Sequence, residues 1–396
     1  MFSESVEMLR YTLFYLPLIS LVAFAGGILN SHKKFALPAA TPILLNISLI
    51  ASVYFLRDSF AIPVKSLAVG VLIAGILQLL VQIPALMKLG LFPKFKFGFK
   101  DSKVKKVMKL MVPTLFGSSV AQINLLLDTL IATMLPIAGS VTFLYYSDRL
   151  LEFPLGVFAI AISTVILPTL SQQFAKNDRK KFMQTMQWAL NLGFFIAIPA
   201  AIGLAVLARN VVITLFQYSA FDSSASELTA LSLMAYMLAL PAFVINKILL
   251  PAYYSRKDTK TPVKVGIIAL FANMLLNVLF VAILWYFEVL ALHVGLALAS
   301  AVSGWMQTYM LYKGLRKQNV IPEGVLQWSM ILRILLASIF MALAIVLLLI
   351  NLGQWSELLW YSRAANLMLC IFVGLMVYLL SLMLMKVRVK NLLVLN

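Results

Sequence analysis

Apolar stretches of bilayer-crossing length follow one another along the whole chain, at approximately 10–29, 38–56, 64–88, 108–134, 141–170, 181–207, 226–253, 262–286, 289–313, 327–350 and 364–385. A helix needs about 20 apolar residues to cross the hydrocarbon core. Inside that core the backbone has no water to bond, so only helices and closed barrels span it, and runs this long are helices. Eleven such runs in 396 residues predict an all-α integral membrane protein, a polytopic helical bundle. Composition closes the other routes: 62% of residues are hydrophobic and 12% charged, against about 25% charged in soluble domains. A water-soluble enzyme and a disordered chain are excluded. Cys370, the single cysteine, rules out a disulfide scaffold and a thiolate metal cluster. The runs at 141–170 and 226–253 are longer than the rest and must tilt, kink or extend beyond the hydrocarbon. Residues 209–221 are too short to span and read as an interfacial segment.

The formal charge of +18 is sorted by side. One set of connecting segments holds Lys33 and Lys34, the lysines from Lys88 to Lys109, the Lys176–Lys181 group, the Arg256–Lys264 group, Lys313 to Lys317 and the tail from Lys386 to Lys390. The alternate set holds Arg10, Arg57, Lys65, Arg209 and Arg363. By the positive-inside rule the first set and the C-terminus are cytoplasmic, and with eleven spans the N-terminus falls outside. Ala23-Phe24-Ala25 has the form of a signal-peptide cleavage site, but Glu4 and Glu7 give the preceding region the wrong sign and Pro17 interrupts its apolar run. The segment 94–106 interleaves Lys with Phe. Between two spans this pattern suits anionic membrane lipids rather than nucleic acid.

The nucleotide and nucleophile motifs G-x-x-x-x-G-K-[ST], G-x-G-x-x-G and G-x-S-x-G do not occur. His32 and His293 are placed on opposite sides of the membrane, where loop histidines are solvated and cannot share a metal or a catalytic site. No catalytic residue and no metal site is assigned.

Ionisable groups at membrane depth are costly and mark candidate sites. Asp128 lies toward the outer end of the fourth span, and YYSDRLLEFP (145–154) in the fifth carries Asp148, Arg149 and Glu152. On a helix Asp148 and Glu152 are about 40° apart and Arg149 about 100° from Asp148, so the three can face one cavity. Arg149 sits roughly 13 Å from the outer end of its helix, near the midplane. Its planar fork can clamp a phosphate at two points, which Lys cannot do. The alternative is a self-compensating ion pair that only holds helices together. Gln122 and Asn124 in SSVAQIN (118–124) are polar groups for the same cavity or for ordinary interhelical hydrogen bonds. Lys247 and Arg333 can snorkel to the interface. Prolines within spans, at Pro17, Pro84, Pro113, Pro154, Pro168, Pro199 and Pro241, suit a transporter with broken helices.

Three stretches carry a resemblance: LPLISLVAFAGGILNSHKKFALPAATPILLNIS (16–48), VPTLFGSSVAQINLLLDTLIATMLPIAGSVTFLYYSDRLLEFPLGVFAIAISTVILPTLS (112–171) and LPAFVINKILLPAYYSRKDTKTPVK (240–264). Together they resemble the MurJ (MviN) lipid II flippases, and the likeness covers essentially the whole chain. It implies the multidrug/oligosaccharidyl-lipid/polysaccharide exporter fold, with fourteen spans and both termini cytoplasmic. The first span here resembles the family's fourth, so the family's first three spans, with the cavity arginines of spans one and two, are not matched. The implied expectation is an N-terminally truncated chain that does not transport unaided. By the same analogy residues 1–90 form a partial N-terminal lobe, 91–107 a basic amphipathic linker, 108–318 the C-terminal lobe and 319–396 an additional helix pair with a basic tail.

The implied substrate is lipid II, the undecaprenyl-pyrophosphate-linked peptidoglycan precursor, moved from the inner to the outer leaflet of a bacterial cytoplasmic membrane by alternating access. Arg149 matches the family's functionally required eighth-span arginine. With it Asp148, Glu152, Asn124, Gln122 and Asp128 form the expected substrate-binding set. No cofactor is expected, and without a phosphate-cradling loop the driving force is the membrane potential or an ion gradient. Cell-wall synthesis proteins are further expected partners. Three alternatives stay open: a cation-coupled drug or polysaccharide exporter of the same superfamily, a non-transporting membrane scaffold for cell-wall enzymes, and a membrane enzyme using Asp148 and Glu152 as acid and base.

Overall fold

A computed structural model describes residues 2–32, 34–91, 101–321, 327–353 and 355–387. Most of the basic segment 94–106, the Lys33 position and the tail from Arg388 onward lie outside the described residues, as do the side chains of Pro113 and Ser118. The regular structure of the described residues is helical, with no strand among them. The chain divides into two compact units, Met1–Lys105 and Lys106–Asn396.

The first unit consists of α1 (Phe2–Leu13), α2 (Tyr15–Ser31), α3 (Ala36–Leu56) and α4 (Lys65–Lys88). Helix α4 is central, with α1, α2 and α3 packed around it. Small residues allow this: a Cβ on Gly70 would collide with the Ser52 hydroxyl, and one on Gly75 would lie 2.7 Å from the Tyr15 ring. Pro42, inside α3, has no N–H to give the Pro38 carbonyl. The Thr41 hydroxyl donates to that carbonyl instead, at 2.8 Å. Buried Gln78 on α4 donates to the Thr41 carbonyl at 2.9 Å and accepts from the Tyr15 hydroxyl. Lys65, placed by the sequence in an outer loop, opens α4 and holds Glu4 and Glu7 of α1 at 3.0 and 2.6 Å.

The second unit contains α5 (Ser102–Met134) from Lys106 onward, α6 (Ser140–Pro154), a π-helical turn (Leu155–Ile160), α7 (Ala161–Ala175), α8 (Arg179–Val206) and α9 (Ala208–Phe216). It continues with α10 (Ser223–Met237), α11 (Leu240–Tyr254), α12 (Lys260–Tyr286), α13 (Val294–Lys317), α14 (Trp328–Asn351) and α15 (Trp360–Leu384). Pro154 cannot donate to the carbonyl one turn back, and the π turn follows it directly. From Ser140 to Ala175 the chain still runs as one 36-residue span. Helices α10 and α11 meet at a 44° bend just before Pro241. There the carbonyls of Leu238 and Ala242 accept from the Trp305 indole and the Thr308 hydroxyl of α13, both at 2.9 Å. Pro199 in α8 frees the Phe195 carbonyl, and the Tyr378 hydroxyl on α15 takes it at 2.8 Å.

Each predicted apolar run is occupied by helix. Among the described residues eight helical segments are long and apolar enough to cross a membrane, nine with the bent α10–α11 pair counted as one. Helices α5 and α13 are the other two of the eleven. In α13 the reason is its place. It packs against α10, α11 and α12 through small or hydroxyl residues, including Ala297, Ser300, Ser303 and Gly304, which bring helix backbones close without lipid-facing bulk.

Two sequence expectations change. Within the 209–221 segment, α9 packs against α10 and α15 and buries Val211, Val212 and Ile213 in protein. His293 was expected to be solvated, yet it is fully buried, its Nε2 at 3.1 Å from the Leu228 carbonyl and its ring 5.3 Å from that of Phe143. Arg363, counted as a loop charge, is buried at the start of α15. It donates to the Ser356 carbonyl at 2.6 Å and to the Ile213 and Gln217 carbonyls at 3.4 and 3.5 Å, capping the negative end of α9.

Candidate functional site

Asn124 and Asp128 are one turn apart on α5, so their side chains share a face. Asn124 Nδ2 donates to Asp128 Oδ2 at 3.1 Å. From α12, Asn277 Nδ2 donates to Asp128 Oδ1 at 2.6 Å. Asn273, one turn before Asn277 and likewise buried, completes the group. With its amide nitrogen turned toward the acceptors, Asn273 donates to Asn124 Oδ1 at 2.9 Å and to Asp128 Oδ1 at 3.3 Å. In that orientation its oxygen accepts from the Ser303 hydroxyl of α13 at 3.3 Å and the Ser300 backbone N–H at 3.2 Å. One carboxylate thus gathers three amides, and no ion-pair partner for it occurs among the described residues. The amide N–H groups aimed at the carboxylate satisfy its oxygens by hydrogen bonding without neutralising its charge.

Helix α6 supplies the second group. The Ser147 hydroxyl donates to the Thr229 carbonyl of α10 at 2.8 Å, and Tyr146 packs on Phe216 and Phe221, with ring centroids 4.5 and 5.4 Å away. These contacts fix the rotation of the helix. Asp148 then lies near enough to Asp128 for the two carboxyl groups to act on one another, and both act on the buried Tyr236 phenol. Arg149 turns the other way. Its Nη1 donates to Glu152 Oε2 at 2.5 Å, and its guanidinium lies over the Tyr145 ring, 4.9 Å from the centroid. The Arg149 and Glu152 side chains are 52% and 54% exposed.

The six expected residues therefore divide. Asn124 and Asp128 belong to the amide network, and Asp148 lies within electrostatic reach of Asp128. Arg149 and Glu152 form an accessible pair one turn along. Gln122 is exposed and, two residues from Asn124, lies on roughly the opposite face of α5. Sequence reasoning missed Asn273, Asn277, Ser300, Ser303 and Tyr236. The available signal was FANMLLNVL (271–279), whose two asparagines stand one turn apart in an apolar span. Among the described residues no cluster of three or more His, Cys, Asp or Glu side chains gathers as a metal site.

A family model described as "Lipid II flippase MurJ" matches residues 1–385 of the chain. The chain belongs to the MurJ family. A probable lipid II flippase MurJ from Haemophilus influenzae is 42% identical over all of this chain and 77% of its own length. One from Vibrio cholerae is 41% identical over 97% of this chain and 72% of its own length. A solved structure, lipid II flippase MurJ in an inward closed conformation, superposes with a TM-score of 0.74 at 28% identity, covering 95% of this chain and 73% of that one. Family membership and the apolar helices together make this a multi-pass membrane protein of the MurJ type.

Proposed function

We propose that this chain, in a full-length setting such as a graft onto its Haemophilus influenzae relative, moves lipid II from the inner to the outer leaflet of the bacterial cytoplasmic membrane by alternating access; the relatives that it matches are named lipid II flippases. The observation that carries the chemistry is Arg149, an accessible guanidinium well inside a 36-residue spanning segment. An arginine there can grip a pyrophosphate at two points while the polyprenyl tail remains in lipid. Glu152 holds that fork when no substrate does. The Asp128–Asn273–Asn277 network supports a second role, as the place where an ion gradient or the membrane potential acts on the helices. Anionic lipids and cell-wall synthesis proteins are the further partners in this reading.

Capture of substrate tests the reading. A photo-activatable side chain at Tyr145, whose ring lies against Arg149, is expected to cross-link labelled lipid II, and unlabelled lipid II should compete. Cross-linking to bulk phospholipid alone, unaffected by added lipid II, contradicts it.

The orientation follows the charge asymmetry, with the C-terminus in the cytoplasm. In a chain with Cys370 replaced, cysteines at Ser59 and Ser356 are expected to react with an impermeant thiol reagent from outside. Cysteines at Lys176 and Lys260 are expected to be protected until the membrane is opened. The reverse pattern overturns the orientation.

A further inference from the structure

Helix α6 buries Phe143, Leu144, Ser147 and Leu151 and leaves Tyr145, Arg149 and Glu152 about half exposed. At positions i, i+4 and i+7 these three share one face of the helix. The guanidinium is bracketed there. Glu152 takes its Nη1, and its central carbon lies over the Tyr145 ring, 4.9 Å from the centroid. The edge formed by Nε and Nη2, a second pair of parallel donors, has no carboxylate partner among the described residues.

The ring that covers the guanidinium is itself anchored. Tyr145 meets the Tyr146 ring edge-on, with centroids 5.7 Å apart and planes at 73°. Tyr146 packs on Phe216, the last residue of α9, and on Phe221 just beyond it, whose own centroids are 6.3 Å apart. An aromatic chain thus runs from α9, packed against α10 and α15, to the Arg149 guanidinium. An arginine alone on an exposed helix face samples many rotamers, and ordering it on a ligand lowers affinity. Glu152 fixes one nitrogen and leaves the plane free to turn about that contact. A ring against the flat face restrains the plane and occupies neither pair of donors.

We propose that Tyr145 is a positioning residue for Arg149: it holds the guanidinium plane so that the Nε–Nη2 edge is presented to the pyrophosphate while Nη1 stays on Glu152. This rests on the lipid II reading above. Tyr145 acts through the arginine, so its effect on binding exists only while Arg149 is there. A leucine at 145 fills similar space and offers no such face.

The test is a double-mutant cycle on binding, with fluorescent lipid II titrated into the purified full-length graft in nanodiscs. Tyr145→Leu is expected to weaken binding about fivefold in the native background. With Arg149 already replaced by alanine, the same change is expected to cost less than about 1.5-fold. Tyr145→Phe keeps the ring and is expected to bind within about twofold of the parent. Unliganded Tm is expected to match the parent in each. Native affinity in Tyr145→Leu, where Arg149→Ala binds weakly, overturns the positioning role and leaves the lipid II reading standing. So does an equal loss in both backgrounds, a Tyr145→Phe protein as weak as Tyr145→Leu, or a loss of binding that only follows a fall in unliganded Tm. Native affinity in Arg149→Ala instead removes Arg149 from the lipid II reading, and the proposal with it.

Discussion

In a full-length graft, Arg149→Ala is expected to abolish lipid II translocation while the protein remains in the membrane at its native level. The geometry separates activity from stability here. The Arg149–Glu152 pair spans one helical turn and both side chains are about half exposed; where they face a water-filled cavity, breaking the pair costs at most about 1 kcal/mol. A purely structural role would show a different pattern. A buried pair broken on one side loses about 3–5 kcal/mol, abundance falls with activity, and removing Glu152 as well restores both. Arg149→Lys sharpens the contrast. It keeps the charge and the stacking partner Tyr145 but not the two-point grip on pyrophosphate. It is expected to recover only part of the rate, and Arg149→Ala with Glu152→Gln to recover none. Translocation and membrane abundance measured together decide between the two. Normal translocation by Arg149→Lys returns the residue to a structural role.

The second large effect is expected at Asp128. Three amides converge on its carboxylate, and no cationic side chain pairs with it among the described residues. The amides stabilise the carboxylate but do not neutralise it, so a mobile proton or cation is the natural counter-charge. One elementary charge crossing the membrane carries about 2.3 kcal/mol per 100 mV, enough to bias helix movement. Asp128→Asn preserves the shape and leaves hydrogen-bonding capacity toward Asn124 and Asn277, so folding is retained. Its translocation rate is expected to fall about tenfold or more and to lose its response to an imposed potential or ion gradient, a barrier change of about 1.4 kcal/mol. An Asp128→Asn protein with the native rate and the native response contradicts this role.

What the sequence shows and what it hides follow from where the relevant contacts lie. The spans are visible because lipid imposes length and apolarity on each run separately. Asn124 and Asp128 share a face by local spacing alone. Asn277, which completes the carboxylate's shell, is 149 residues from Asp128, and no local pattern announces that meeting. Asp148 and Glu152 are close in angle on an ideal helix, yet Glu152 pairs with Arg149 while Asp148 comes within electrostatic reach of Asp128. Charge counting placed Arg363 in a loop because it cannot see the α9 carbonyls that hold it. Pro199 was readable as a break or kink, and Pro42 was not among the prolines read that way. The hydroxyls that repair them, from Tyr378 and Thr41, belong to the fold and to its local geometry.

The most direct measurement is lipid II translocation by a graft. This chain replaces the matching 77% of the Haemophilus influenzae relative, in cells depleted of their own flippase. Labelled lipid II reaching the outer leaflet, together with sustained growth, is the predicted result, lost again on Arg149→Ala. A graft that is present and folded in the membrane yet leaves lipid II in the inner leaflet contradicts the account.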